Sequence, residues 1–399
     1  MVDIGKIKNI AVIGAGVQGH SITQICLMAG FDKVFLNDIN QEAIERGIRW
    51  MIDNPETGLK KLESEGKLGE ETTVKHLLNN LFKEVNLKKV AENADFVIEA
   101  VPEVMTIKKE VYKNLGEYTR KDTVLASNTS TMSISKLGEA SGKPEKVIGM
   151  HFFSPIGNKL IEITKGNRTS DESVQIGIAI GEKLPSTEGK RVIINLEKET
   201  PGHIANRIIG SINPYLNWVF DQAISKDIPF EQIDADIIEF MPNGICKMCD
   251  GIGIDTVYNA MKYFEETLSP EFAPSKVLER LVNEGNLGLK TGKGFYDWTD
   301  GKSPEINPSN KAGIVEIEVL LAQFLNEGCR LLEQGVVKGY KTIDKVISAG
   351  YRIPGPFSMN KRNYERLSQK LEETAKITGK LYLRPCNLMK SGEFLKMRK

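Results

Sequence analysis

The sequence predicts a doubly wound α/β domain followed by an all-α region, and three observations lead to this prediction. Short β-branched apolar runs alternate with helical patterns up to Leu196, as they do in a largely parallel sheet covered by helices. The first run, at residues 9–13, leads directly into a glycine-rich loop. After residues 199–202 the strand patterns stop, and amphipathic helical patterns continue to the C-terminus.

Six further apolar runs extend the predicted sheet. They are residues 34–36, 96–100, 123–126, 146–150, 160–163 and 191–194. Between the first two, over about residues 40–90, the chain is charged and helical in pattern, which predicts a helical excursion inside the α/β domain. The predicted domain boundaries are residues 1–196 for the α/β domain, 197–305 for a helical domain and 306–399 for a second helical segment.

The two helical segments share a spaced pattern. The dipeptides Leu-Asn at 216–217 and Ile-Asp at 233–234 recur at 325–326 and 343–344, with offsets of 109 and 110 residues. This pattern predicts a duplicated helical module. The alternative is that two similar amphipathic helices match by chance.

The composition argues against two classes of partner. The 399 residues carry 53 Lys and Arg against 53 Asp and Glu, so the formal net charge is zero. A neutral chain offers no basic field to a nucleic-acid backbone. No apolar run reaches the roughly 18 residues of a membrane span, and the N-terminal pattern is not that of a secretion signal. We therefore expect a cytoplasmic protein that binds neither nucleic acid nor membranes.

The cysteines do not predict a metal site. Five are scattered over the chain, and only Cys246 and Cys249 form a C-x-x-C pair. A zinc half-site or a redox pair is the alternative interpretation, but no second pair completes a tetrahedral site, which favours incidental thiols. We expect no metal.

The glycine loop predicts the cofactor. Gly14, Gly16 and Gly19 follow a predicted buried strand and open a helix, so the helix N-terminus is placed to bind a pyrophosphate. Asp38 ends the next strand, 24 residues after Gly14. A carboxylate there accepts both ribose hydroxyls and repels a 2′-phosphate, so the Rossmann-like domain is predicted to bind NAD.

Polar residues follow three of the later strands. Glu103 comes after residues 96–100, Ser130 after 123–126, and His151 after 146–150. Read singly, Ser130 is a turn residue and Glu103 a solvated carboxylate. Because open α/β sheets bind ligands beyond the carboxyl ends of their strands, their common position predicts one site. Of the four histidines, His20, His76 and His203 are interpreted as structural or solvated.

Seven motifs along residues 7–300 or so carry a resemblance to a known family. They are AVIGAGVQG, ADFVIEAVPE, SNTSTMSI, GMHFFSP, KLIEI, TPGHIANRI and LKTGKGFYDW. In order and spacing the chain resembles the 3-hydroxyacyl-CoA dehydrogenases. The resemblance implies NAD-dependent oxidation of (S)-3-hydroxyacyl-CoA to 3-ketoacyl-CoA, and the reverse, with an acyl-CoA thioester as substrate.

The resemblance also implies roles for individual residues. His151 matches the catalytic histidine and Glu162 the acid that pairs with it. Ser130 and Asn206 match residues that contact the substrate near its reacting oxygen. A further set matches positions of the cofactor site: Gly14, Gly16, Val17, Gln18, Gly19, Asp38, Glu103, Lys108, Ser130, Ser154 and Lys290.

Three departures from the family pattern bear on the site. Gln18 stands where the family usually has an apolar residue, and Ser154 replaces the usual Asn after HFF. MPNGICKMCDG, at residues 241–251, replaces the commoner YPMGPFELLDG, which affects the expected acyl pocket.

Two other functions stay open. One is a dehydrogenase of the same fold that acts on a free 3-hydroxy acid such as L-gulonate or carnitine. The other is a non-catalytic NAD- or acyl-CoA-binding protein. For the assembly, both a monomer containing an internal pseudo-dimer and a homodimer are open.

Overall fold

A computed structural model describes residues 4–69, 72–153, 157–300, 302 and 305–399. In it the chain divides into two compact units. The first comprises Met1–His203, Gly335–Lys338 and Lys345–Ile353, and the second comprises Ile204–Gln334, Gly339–Asp344 and Pro354–Lys399. No helix of the described residues is both long and apolar enough to cross a membrane.

The first unit is built on one eight-stranded sheet with the order β3-β2-β1-β4-β5-β6-β7-β8. The strands are β1 Asn9–Ile13, β2 Lys33–Asn37, β3 Leu81–Lys83, β4 Phe96–Glu99, β5 Val124–Ser127, β6 Val147–Phe152, β7 Leu160–Lys165 and β8 Val192–Asn195. All neighbouring strands are parallel except β6 and β7, which are antiparallel. The predicted doubly wound α/β fold class is confirmed.

Strand β3 is an element that the sequence did not predict. It lies inside the region predicted to be helical and pairs with β2 at the edge of the sheet. Leu81 is only half-buried, and Phe82 and Lys83 are exposed. A short edge strand of this kind has no buried β-branched run to mark it.

Helices cover both faces of the sheet. They are α1 Val17–Met28, α2 Gln41–Asp53, α3 Leu59–Ser64, α4 Val74–Leu78, α5 Leu87–Asn93, α6 Met105–Tyr118, α7 Ile134–Ser141 and α8 Asp171–Lys183. Side chains of β1 show the two-sided burial: Ile10 and Val12 enter one apolar cluster, and Ala11 and Ile13 enter another. Alternate residues of a strand point to opposite faces, so a run that is apolar throughout is buried on both.

The second unit is helical. Its helices are α9 Ala205–Gly210, α10 Asn213–Ser225, α11 Phe230–Ile237, α12 Ile245–Ile252, α13 Ile254–Thr267, α14 Lys276–Asn283, α15 Ile317–Glu333, α17 Pro356–Asn360, α18 Tyr364–Thr378 and α19 Asn387–Ser391. Helix α16, Tyr340–Tyr351, begins in this unit, and its last residues belong to the first.

The two segments of the second unit repeat one buried amide contact. Asn217 of α10 and Asn326 of α15 make the same pair of hydrogen bonds. Each donates from Nδ2 to a backbone carbonyl and accepts at Oδ1 from the backbone N–H two residues after that carbonyl. The partners are Ala273 and Ser275 for Asn217, and Arg384 and Cys386 for Asn326. A buried amide satisfied in the same way at both sites supports the duplicated module.

A helix cap is repeated as well. Oδ1 of Asp234 accepts the Ile245 backbone N–H at 2.6 Å, at the start of α12. Oδ1 of Asp344 accepts the Phe357 backbone N–H at 2.9 Å, at the start of α17. Carboxylates stabilise helix N-termini by pairing with amides that have no partner in the helix. The domain boundaries and the duplication stay predictions that these contacts support.

Candidate active site

A histidine and a glutamate face each other across the antiparallel strands β6 and β7. The register pairs His151 with Glu162, and His151 Nδ1 lies 3.0 Å from Glu162 Oε2. Both side chains are buried, with His151 at 6% exposure and Glu162 at 0%. A carboxylate only accepts hydrogen bonds, so Nδ1 carries the proton and the lone pair of the neutral ring lies on Nε2. A general base and an orienting carboxylate require this geometry.

Two further rings contact His151. The Phe153 ring centroid lies 4.6 Å from that of His151, and the His203 ring stacks on His151 at 5.1 Å with an interplanar angle of 25°. Tyr351, at the end of α16, meets Phe153 edge-on at 5.8 Å. The sequence predicts a structural or solvated role for His203, and no local pattern indicates its contact with His151. Tyr351 was not among the predicted site residues, because it lies 198 positions from Phe153 in the chain.

Glu103 organises the turn that carries Ser130. Its Oε1 accepts from Thr129 Oγ1 at 2.5 Å, from the Ser130 backbone N–H at 3.0 Å and from the Thr131 backbone N–H at 3.3 Å. Beside it, Asn128 Oδ1 accepts the Phe152 backbone N–H at 2.9 Å, next to His151 in the sequence. The structure therefore brings Glu103 and Ser130 together, and links the Ser130 turn to the strand that carries His151.

Lys108 sits in a buried charge cluster. Its Nζ lies 2.6 Å from Glu99 Oε1 and 3.2 Å from Glu103 Oε2, and the side chains of Lys108 and Glu99 are 1% and 0% exposed. Burial by itself would lower the pKa of Lys108, but the charges of Glu99 and Glu103 outweigh it and raise the pKa.

Glu103 is the exposed end of this cluster, with 37% of its side chain accessible. Its partial burial would raise the pKa, but Lys108 and the hydrogen bonds donated by the Ser130 turn lower it. A cofactor would meet Glu103 before Lys108, so Lys108 is placed to act through Glu103.

The loop before α1 fits a dinucleotide. Gly14 has φ +100°, and a Cβ on Gly19 would lie 1.7 Å from the Gly14 carbonyl oxygen, so side chains at these positions would prevent the helix from starting here. Nothing lies within 4 Å of a Cβ built on Gly16, and no side chain caps α1. The loop therefore presents open backbone to a pyrophosphate.

Asp38, which follows the end of β2, forms a hydrogen bond with this loop. Its Oδ2 accepts the Ala15 backbone N–H at 2.7 Å, and its Oδ1 accepts the Ile39 backbone N–H at 2.7 Å. Val17 is 74% exposed and Gln18 is half-buried, both in the first turn of α1. These residues would hold NAD, with Asp38 at the ribose.

The remaining predicted site residues belong to the second unit or lie outside the described residues. Asn206 is half-buried in α9. Lys290 forms an ion pair with Asp255 in the second unit. Ser154 lies outside the described residues, so its predicted cofactor contact stays a prediction.

The C-x-x-C pair is buried in α12. Burial raises the pKa of Cys249 to about 12 and that of Cys246 well above the ordinary thiol value, which disfavours the reactive thiolate. The described residues contain no cluster of His, Cys, Asp and Glu side chains that could hold a metal ion.

Comparisons with known proteins identify the family. Residues 9–195 match the family description "3-hydroxyacyl-CoA dehydrogenase, NAD binding domain", and residues 202–298 match its C-terminal domain. A probable 3-hydroxybutyryl-CoA dehydrogenase of Bacillus subtilis (strain 168) is 34% identical over 303 residues, covering 75% of this chain and 100% of that protein. The chain belongs to the 3-hydroxyacyl-CoA dehydrogenase family. It is therefore an NAD-dependent oxidoreductase.

Two solved structures extend the likeness. The 3-hydroxybutyryl-CoA dehydrogenase of Escherichia coli K12 shares the fold with a TM-score of 0.81 at 24% identity, covering 98% of this chain and 99% of that chain. The (S)-3-hydroxybutyryl-CoA dehydrogenase of Ralstonia eutropha is 28% identical with a TM-score of 0.63, covering 73% of this chain and 99% of that chain. The first structure matches 98% of the 399 residues of this chain and the second only 73%. About a hundred residues of this chain therefore have a counterpart in the first structure and none in the second.

Proposed function

We propose that the enzyme oxidises (S)-3-hydroxyacyl-CoA to 3-ketoacyl-CoA, and catalyses the reverse reaction, with His151 as general base and acid. The observation that carries the proposal is the 3.0 Å contact between His151 Nδ1 and Glu162 Oε2. Bound NAD supplies the acceptor for the hydrogen that leaves the alcohol carbon with its electron pair. His151 Nε2 takes the hydroxyl proton, and the buried Glu162 carboxylate stabilises the imidazolium that results.

Further residues are proposed to support this step. The Ser130 hydroxyl and the Asn206 amide would donate hydrogen bonds to the substrate oxygen as it becomes a carbonyl in one direction and an alcohol in the other. Glu103, with Lys108 behind it, and Lys290 would lie at the nicotinamide end of the cofactor. General acid–base catalysis typically contributes about 10²–10⁴-fold in rate, so positioning must supply much of the remainder.

A short acyl chain is the proposed substrate class. The relatives from Bacillus subtilis and Ralstonia eutropha, at 34% and 28% identity, are both named as 3-hydroxybutyryl-CoA dehydrogenases. We therefore propose 3-hydroxybutyryl-CoA and acetoacetyl-CoA as the pair to test. The substituted segment MPNGICKMCDG makes a survey of longer thioesters the natural extension of that test.

The test compares acetoacetyl-CoA with free acetoacetate while NADH consumption is followed. Turnover of the thioester and not of the free acid is expected, and turnover of the free acid alone would overturn the CoA assignment. In the other direction, (S)-3-hydroxybutyryl-CoA should reduce NAD and the (R) form should not. A non-catalytic binding protein would bind NADH without turnover of either substrate.

His151→Gln tests the base. This variant should lose turnover by about 10²–10⁴-fold while it still binds NADH, because the glycine loop and Asp38 are untouched. The control is His76→Gln, which replaces an exposed histidine of α4. Unchanged turnover in His151→Gln would rule out His151 as the base.

We also propose that the chain is a monomer in which the two helical segments cover each other. Within the second unit, the rings of Phe272 and Tyr382 meet at 4.7 Å, and the Glu271 carboxylate accepts the backbone N–H groups of Leu381 and Tyr382. The second segment thus contacts a surface that the first would otherwise expose. Light scattering should report one chain per particle, and a stable dimer would refute the proposal.

A further inference from the structure

His203 uses both nitrogens of its ring inside the first unit. Nε2 lies 2.9 Å from the Thr129 carbonyl oxygen, and Nδ1 lies 2.9 Å from Thr164 Oγ1. A carbonyl oxygen only accepts, so Nε2 carries a proton, and in the neutral ring Nδ1 accepts the hydroxyl proton of Thr164. His203 is 2% exposed, and both contacts are therefore shielded from water.

The two partners of His203 belong to different parts of the active site. Thr129 precedes Ser130 in the turn bound by Glu103. Thr164 lies on β7 two residues after Glu162, and residues two apart on a strand point to the same face. His203 therefore links the turn that carries Ser130 to the strand face that carries Glu162.

The face of the His203 ring supports His151. The two rings are nearly parallel, with centroids 5.1 Å apart. The titratable groups that act on His203 are His151 on β6, Glu162 on β7 and Glu103 in the loop after β4. Burial lowers the pKa of His203, and His151 adds to this effect, so His203 remains neutral beside an imidazole that must become positively charged during turnover.

We propose that His203 is a positioning residue for the dehydrogenase reaction, holding Thr129 and Thr164 in register and supporting the ring of His151. The proposal rests on the proposed function and deepens it. His203 touches no reacting atom; it acts through His151, the Ser130 turn and β7. Misplacement of catalytic groups by about 1 Å can cost on the order of 10²-fold in rate, which sets the scale of the expected effect.

Two substitutions of His203 separate its ring from its hydrogen bonds. His203→Phe keeps an aromatic face against His151 and loses both hydrogen bonds, so kcat for acetoacetyl-CoA reduction should fall by roughly 10–100-fold. His203→Gln offers an amide N–H for the Thr129 carbonyl and an amide oxygen for the Thr164 hydroxyl, so it should recover part of the lost kcat.

Thr164→Val tests the link without touching His203. Valine has nearly the shape of threonine but no hydroxyl, so only the contact at Nδ1 is lost. We expect a smaller fall in kcat than in His203→Phe, and this variant keeps the test valid if phenylalanine is not tolerated at the left-handed φ of 52°. His76→Phe, at an exposed histidine, is the matched control and should behave as the wild type.

The decisive measurement compares the change in kcat with the change in the KM of NADH. In a positioning role, kcat falls while the KM of NADH changes by less than about threefold, and glutamine recovers activity better than phenylalanine. A purely structural role would lower the unfolding temperature and leave kcat per NADH-binding site unchanged, which would overturn the proposal. Equal kcat in the phenylalanine and glutamine variants would also overturn it.

Failure of the proposed function is recognised separately. If the wild type does not turn over acetoacetyl-CoA at all, the proposed function fails whatever His203 does. Nitrogen-resolved NMR then still tests the arrangement, because His203 should be a neutral ring with its proton on Nε2. A proton on Nδ1 of neutral His203 would contradict the hydrogen bonding on which the proposal rests.

Discussion

Two buried carboxylates of the same sheet contact different kinds of nitrogen group. Glu162 of β7 and Glu99 of β4 are both 0% exposed, and each contacts a nitrogen base, at 3.0 Å for His151 and 2.6 Å for Lys108. We propose that His151 takes up and releases a proton during turnover, whereas the raised pKa of Lys108 keeps its ammonium charged. In that proposal Glu162 faces a charge that changes, whereas Glu99 faces a charge that is constant.

The hydrogen-bond partners of Glu99 explain why the buried charge cluster around Lys108 stays charged. Ser127 Oγ donates to Glu99 Oε2 at 2.6 Å, and the Val101 backbone N–H donates to Oε1 at 2.8 Å. Lys108 itself is shared with Glu103. A buried charge persists when its hydrogen-bonding capacity is filled, so this cluster forms a fixed support for the Ser130 turn.

Glu162→Gln should give the largest effect. The amide keeps the shape of the side chain but cannot stabilise the imidazolium of His151, so kcat should fall by about 10²–10⁴-fold. The measurement is kcat for acetoacetyl-CoA reduction. Replacing the carboxylate should add little in a protein that already carries His151→Gln, because the two act as a unit; independent, multiplying losses would contradict the pairing.

Lys108→Met should mainly lower the free energy of unfolding. It leaves Glu99 buried without its cation, which typically costs about 3–5 kcal/mol. The free energy of unfolding in urea measures this loss. Lys109→Met is the matched control at the neighbouring exposed position, and equal losses in the two variants would show that Glu99 does not depend on Lys108.

The pH dependence of the two clusters should differ. The lowered pKa of Glu103 gives stability that is present above the unfolded pKa of about 4.3 and lost as pH falls through the folded value. The raised pKa of Lys108 gives stability that is present below about 10.4 and lost as pH rises through the folded value. The contribution of this cluster to wild-type stability should therefore be flat between these limits, and a step near neutral pH that Lys108→Met removes would count against a fixed charge.

The lowered pKa of His203 makes the stability of the first unit depend on pH near neutrality. Its lowered pKa means that the unfolded chain binds the proton more tightly, so wild-type stability should decline as pH falls below about 6.5. His203→Gln should reduce this decline and leave the contribution of buried His20, whose pKa is also lowered by burial. Unfolding temperatures between pH 5 and 8, roughly the range of imidazole titration, provide the measurement.

Tyr351→Leu should give the smallest effect. Its edge-on contact with Phe153 is of the kind worth about 0.5–1.5 kcal/mol, and Phe153 in turn contacts His151. We expect kcat to fall by less than about tenfold with little change in the KM of NADH. A loss as large as that of Glu162→Gln would show that Tyr351 participates more directly than its contacts indicate.

Prediction from sequence succeeded where the signal was local. The buried apolar runs are patterns within short stretches, and they predict seven of the eight strands observed. It missed β3, which is short and exposed at the sheet edge. The sequence also did not predict the hydrogen bonds that Glu103 accepts from the Ser130 turn. A loop carboxylate has the same sequence pattern whether it is solvated or accepts several hydrogen bonds.

The sequence by itself determined the fold class, the family and NAD as the cofactor, because apolar periodicity, glycine spacing and motif order are properties of neighbouring residues. Only the tertiary structure decided that His203 stacks on His151 and that Tyr351 reaches Phe153. These contacts join residues 52 and 198 positions apart in the chain. No local pattern encodes such proximity, which arises when the strands and helices pack together and bury their apolar faces.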